Sequence, residues 1–162
     1  MKTPLLSALL LAALILISGN TRADVVRPAP NFAWAGGKTL KTWKGQPVVL
    51  LIAPSPRSGA FRKQSARIQA VYQDFAARGT VFVAAFTDPQ AADEPIRSNI
   101  PFVVASNGGQ IAADYCFNGA FAIAVIGKDG NLDLNSAKVV PASQIMDMIY
   151  NNFEQQEAER KL

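Results

Sequence analysis

The chain has 162 residues, with 16 lysines and arginines against 12 aspartates and glutamates, a single cysteine and no histidine. Without histidine, hydrolysis through a histidine base and the usual histidine-rich zinc sites are excluded. One thiol cannot close an intrachain disulfide, so stability must come from packing. Part of the basic excess belongs to Lys2 and Arg22, and the remainder is dispersed, with no basic tract to suggest nucleic acid.

Lys2, an apolar stretch over 5–17 and the small-x-small site Thr21-Arg22-Ala23 read as a secretory signal peptide over 1–23. The stretch is shorter than the roughly 20 residues a membrane span needs. No stable span is expected after cleavage, and a periplasmic or secreted location follows. A single domain over 24–153 and a charged tail over 154–162 complete the division of the chain.

Residues 24–30 are a proline-rich lead-in, and Phe32, Trp34 and Leu40 around Gly36-Gly37 predict a small hairpin. Trp34 and Trp43 are expected to bury against a sheet. The apolar run over 48–52, flanked by prolines, predicts a strand covered on both faces. After a polar turn, Phe61, Ser65, Ile68, Val71, Tyr72 and Phe75 recur at helix spacing. Ser58 is the candidate N-cap and Gly79 the C-terminal stop.

A second buried strand is expected over 81–86, ending at Thr87-Asp88-Pro89. A loop or short helix over 90–99 carries Asp93, Glu94 and Arg97, whose carboxylates read as solvated. A short strand over 100–105, a turn, and a helix over 110–115 follow. The strand over 122–126 turns through 127–130 into a returning strand over 131–134, and Val139 and Val140 extend an edge. A closing helix is expected over 143–153, its methionines filling core.

The segment from Pro47 to Gly79 resembles the thioredoxin-like superfamily, in its alkyl hydroperoxide reductase and redoxin branch. The resemblance also rests on Ala29-Pro30-Asn31-Phe32, on Lys44-Gly45-Gln46-Pro47-Val48-Val49-Leu50, on 107–115 and on 122–131. It implies an α/β fold, a three-layer α/β/α sandwich with a central mixed β-sheet. It also implies a redox centre where the sequence departs from the family. Pro54 and Ser58 fit the peroxiredoxin pattern, but Phe61 stands at the peroxidatic cysteine. In a thioredoxin alignment Ser58 and Phe61 occupy the two cysteine positions. Phe121 stands where the family's cis-proline or peroxiredoxin arginine is expected.

The expected function is an exported thioredoxin/peroxiredoxin-like domain lacking the usual redox cysteines, a non-catalytic module that binds a protein or small ligand. It needs no cofactor and no metal. The alternative is an atypical one-cysteine thiol oxidoreductase or peroxidase using Cys116, weighed against a buried structural thiol at that position. An intermolecular disulfide through Cys116 would give a covalent dimer. Arg57, Ser58 and Arg62, with Lys63, form a candidate site for a small anionic ligand at the helix start.

Overall fold

The computed structural model describes residues 27–34 and 37–159, with side chains described to residue 151. The expected signal peptide and the end of the tail, 160–162, lie outside the described residues. Five strands form one sheet: β1 (Val48–Ala53), β2 (Val81–Phe86), β3 (Val103–Val104), β4 (Ala122–Ile126) and β5 (Leu132–Ser136), in the order β3-β2-β1-β4-β5. β1 runs parallel to β2, and β2 to β3, whereas β4 is antiparallel to both β1 and β5. The sheet is therefore mixed.

The central place of β1 explains its unbroken apolar sequence, because a strand covered on both faces has no solvent side to supply with polar residues. All six of its residues are buried. Val49, Leu51 and Ala53 point into one apolar layer with Phe61 and Ile68 of α1 (Gly59–Gln69), Phe75 of α2 (Tyr72–Ala76), and Ile145 and Ile149 of α4 (Ala142–Glu159). Val48, Leu50 and Ile52 point into the other, with Ile111 and Ala112 of α3 (Gly108–Asp114), Tyr115 at its C-cap, and Phe32 and Trp34 of the lead-in. The strand's two-residue period thus divides the molecule into three layers.

The lead-in hairpin is present as an isolated bridge between Ala33 and Thr39, and Trp34 bridges Ala105 beside β3. Trp34 and Trp43 stack with ring centroids 3.6 Å apart and planes 3° from parallel, Trp34 buried and Trp43 packed against the second layer.

Three expectations are corrected. The long helix expected from Ser58 to Gly79 is broken at Ala70 and Val71, where Val71 takes φ −128° and ψ 26°. The break rephases the chain so that Phe75 stays buried and meets Phe82 edge-on at 5.5 Å, while Val71 turns out to solvent. Gly79 does end the segment, at φ +66°. Val139 and Val140 extend no strand, because the Val140 backbone bonds a side chain instead. The closing helix does not stop at 153 but runs on to Glu159.

Tyr115 anchors the lead-in to α3: its phenol donates to the Pro30 carbonyl at 2.7 Å. Burial, and then the adjacent Asp114 charge, hold this phenol well above its ordinary range. The folded state therefore keeps a proton that the unfolded chain gives up above about pH 10. Stability carried by this group is intact below that pH and falls as pH rises beyond it. Urea midpoints taken across the alkaline range are expected to decline, and Tyr115→Phe is expected to flatten that decline.

Candidate functional site

The turn between β1 and α1 is where the redoxin resemblance expects a reactive thiol. Its serines are consumed by the turn itself. The Ser58 hydroxyl accepts from the Ser55 amide at 3.2 Å, and the Ser55 hydroxyl accepts from the Arg57 amide at 3.3 Å. Ser58 does occupy the N-cap position of α1, as expected, but its side chain makes no cap hydrogen bond. It braces the preceding turn as an acceptor, a role that does not use its O–H donor.

Phe61, one turn into α1, is 1% exposed. Its ring sits 5.3 Å from Phe86, edge-on, and 5.5 Å from Phe102. Phe121, on the approach to β4, is buried in the same apolar layer, and no cis peptide bond occurs among the described residues. The two substituted positions are thus both filled with core side chains. Nothing at this point of α1 can become a thiolate.

Gln64, fully buried, bridges α1 to the chain entering α4: its amide donates to the Val140 carbonyl at 3.1 Å, and its carbonyl accepts from the Val140 amide at 2.8 Å. Both ends of the buried amide are satisfied, which is the condition for keeping one in a core.

Along the outside of α1 lies the segment after β2, a 3-10 turn over Pro89–Asp93 followed by an irregular run to Asn99. It is fastened at both ends. Arg57 Nε pairs with Glu94 Oε2 at 3.1 Å; Gln69 Oε1 accepts from the Ser98 hydroxyl at 3.1 Å and the Asn99 amide at 3.2 Å. Glu94 is half-buried, its Oε2 at ion-pair distance from Arg57 but accepting no hydrogen bond among the described residues, and so differs from the solvated carboxylate expected, whereas Asp93 is exposed as expected.

Between these fastenings runs a groove made of two adjoining cavities, about 680 Å³ and about 380 Å³. Both are lined by Arg62, Ser65 and Arg97. The larger adds Lys63 and the smaller adds Pro56, Arg57, Phe61, Pro95 and Ile96. Arg62, Lys63 and Arg97 are exposed and have no carboxylate partner among the described residues. Ser65 is 5% exposed, and its hydroxyl has no hydrogen-bond partner among the described residues. Leaving a buried polar group unpaired costs about 1–3 kcal/mol.

Of the expected anion-binding residues, the structure brings Arg62 and Lys63 to this groove. It also places Arg57 in the lining of the smaller cavity, ion-paired with Glu94, and leaves Ser58 in the turn, outside the lining of both cavities. Sequence reasoning missed Arg97 and Ser65: Arg97 was one charge in an aperiodic loop, and Ser65 was read as part of the apolar stripe. A hydroxyl on an otherwise apolar stripe was the available signal for the second.

Cys116 is exposed, so the reading of a buried structural thiol is corrected. It ends α3 at φ +56°. The Phe117 amide bonds the Ala112 carbonyl at 2.7 Å and the Cys116 amide bonds the Ala113 carbonyl at 3.1 Å, the paired closure of a helix by a left-handed residue. Because α3 packs on the opposite face of the sheet from α1, the thiol and Phe61 belong to different layers. A left-handed conformation costs a residue with a Cβ about 1–2 kcal/mol, part of which glycine returns as chain entropy. Cys116→Gly is expected to raise stability by about 1 kcal/mol, read as a higher urea midpoint at unchanged slope.

A mixed sheet in this strand order, with α1 and α4 on one face and α3 on the other, defines a thioredoxin-like fold. Solved structures share it. One is described as a thiol:disulfide interchange protein DsbE from Chlorobium tepidum, with a TM-score of 0.64 and 20% identity over 78% of this chain and 96% of that one. The mitochondrial 2-Cys peroxiredoxin of Plasmodium falciparum aligns with a TM-score of 0.60 and 15% identity, covering 83% of this chain and 97% of its own. A thiol:disulfide interchange protein from Bacteroides sp. gives 0.56 and 19%, covering 80% and 88%. No family model matches the chain, and no curated protein matches it in sequence. At these identities the likeness carries the fold alone.

Proposed function

We propose that this chain is an exported, non-catalytic binding domain built on a thioredoxin-like scaffold. The observation that carries the reading is Phe61, buried among Phe86 and Phe102 at the position where the resemblance puts a reactive cysteine. The helix start there keeps its favourable field for an anion but has no thiol for that field to activate. Export rests on the leader-like pattern over 1–23, and sequencing the N-terminus of protein recovered outside the cytoplasm is expected to read from Asp24.

The second reading, a one-cysteine reductase or peroxidase, is favoured by one observation, the exposure of Cys116. Mass spectrometry before and after graded hydrogen peroxide, with a thiol-reductant turnover assay on the same sample, separates the two. The binding reading expects no turnover beyond that of Cys116→Ser. Rapid, reductant-reversible oxidation at Cys116 accompanied by turnover would overturn it.

A further inference from the structure

We propose that the groove between α1 and the 94–99 segment binds the carboxylate of an acid with an apolar body, a proposal that rests on the binding reading and gives it a ligand class. Three observations converge there. Arg62 and Arg97 approach the groove from opposite sides, one on the helix and one on the segment, and neither has a carboxylate partner among the described residues. Two guanidinium groups match the planar, two-oxygen acceptor that a carboxylate offers. In the floor lies the Ser65 hydroxyl, screened from water and without a partner among the described residues, so an oxygen that reaches it supplies an acceptor it otherwise lacks.

The smaller cavity makes the ligand more than an ion. Pro56, Phe61, Pro95 and Ile96 line it beside Arg57, Arg62 and Arg97, a recess of about 380 Å³ with both apolar and charged walls. A ligand whose acid group sits at Arg62, Ser65 and Arg97 would lay its apolar body into this recess. The bonds from Ser98 and Asn99 to Gln69 tie the segment to α1 at one end, which lowers the ordering that a ligand must impose.

The shared chemistry, a carboxylate on an apolar body, belongs both to a free organic acid and to the C-terminal residue of a peptide. Two-dimensional amide NMR of the mature chain, titrated with 3-phenylpropionate, N-acetylphenylalanine, acetate and inorganic phosphate, tests the proposal. Both apolar acids are expected to move the amides of 62–66 and 95–98 and to bind more tightly than acetate or phosphate. Tighter binding of N-acetylphenylalanine would identify a peptide terminus as the source, and tighter binding of 3-phenylpropionate a free acid. Arg97→Gln is expected to weaken the preferred acid about tenfold, and Ser65→Ala several-fold, without lowering stability. Lys41→Gln, on the exposed surface before β1 and outside the groove lining, is expected to leave affinity within about twofold.

Phosphate binding as tight as the apolar acids, or shifts that Arg97→Gln and Ser65→Ala leave unchanged, would reduce the groove to a charged patch and overturn the proposal. So would the absence of shifts. These outcomes are independent of the peroxide assay: an inert Cys116 with an empty groove sinks the ligand assignment and leaves the non-catalytic reading in place. Turnover at Cys116 sinks that reading by itself.

Discussion

Gly108→Ala is expected to destabilise the protein by at least about 3 kcal/mol, a large share of the 5–15 kcal/mol that holds a domain of this kind together. A Cβ at this position would lie 1.9 Å from the Phe86 carbonyl oxygen, 2.5 Å from its carbon and 2.8 Å from its nitrogen. All three are backbone atoms in the last residue of β2, and β2 lies between β1 and β3. No rotamer change relieves the contact. Either α3 lifts away from the sheet, uncovering Ile111 and Ala112, or β2 is displaced. The neighbouring Gly109 supplies the control: a Cβ there meets nothing within 4 Å, so Gly109→Ala is expected to gain about 0.5–1 kcal/mol from helix propensity and chain entropy. Urea midpoints of the two variants should move in opposite directions. Equal, small shifts would mean that α3 is not seated on β2 as described.

Phe61→Cys is expected to cost about 3 kcal/mol and to create no peroxidase. The cost follows from removing most of a fully buried ring from between Phe86 and Phe102. The chemical failure has a separate cause. The introduced thiol would sit in an apolar layer with Phe121, away from any histidine, and desolvation favours its neutral form over the nucleophilic thiolate. Arg57, the basic residue of the preceding turn, is already paired with Glu94. In a Cys116→Ser background, the introduced thiol is expected to resist a thiol reagent in native buffer and to react at once in denaturant. Rapid native reaction with peroxide turnover would instead show that a single substitution separates this site from redox chemistry.

Much of the fold was legible because periodicity is a local property. The continuous apolar run of β1 announced burial on two faces, and the Asp129-Gly130 turn announced the β4–β5 hairpin. The break at Val71 was not legible, since Val71 and Tyr72 both suit the apolar stripe and only the position of Phe82 decides which of them faces the core. Gln64 escaped notice for a related reason: its partner is the backbone of Val140, 76 residues away, and a backbone group carries no sequence signature. At the candidate site, the loss of the thiol at Phe61 could be read directly. The groove could not, because it exists only where the 94–99 segment is fastened along α1, and those fastenings join residues from separate elements. Cys116 misled in another way, as cysteines are commonly buried, but this one closes a helix in the left-handed conformation and is exposed.

That outward thiol gives the molecule a built-in orientation. It is the chain's single cysteine, it is exposed, and the sheet stands between its layer and the layer of α1. A maleimide surface or resin coupled through Cys116 would therefore hold every molecule by the α3 side and leave the α1 groove turned to the solution. Immobilised in this manner, a uniform array of the protein could draw its own ligand from a crude extract, with the attachment chemistry confined to the face that the groove does not use.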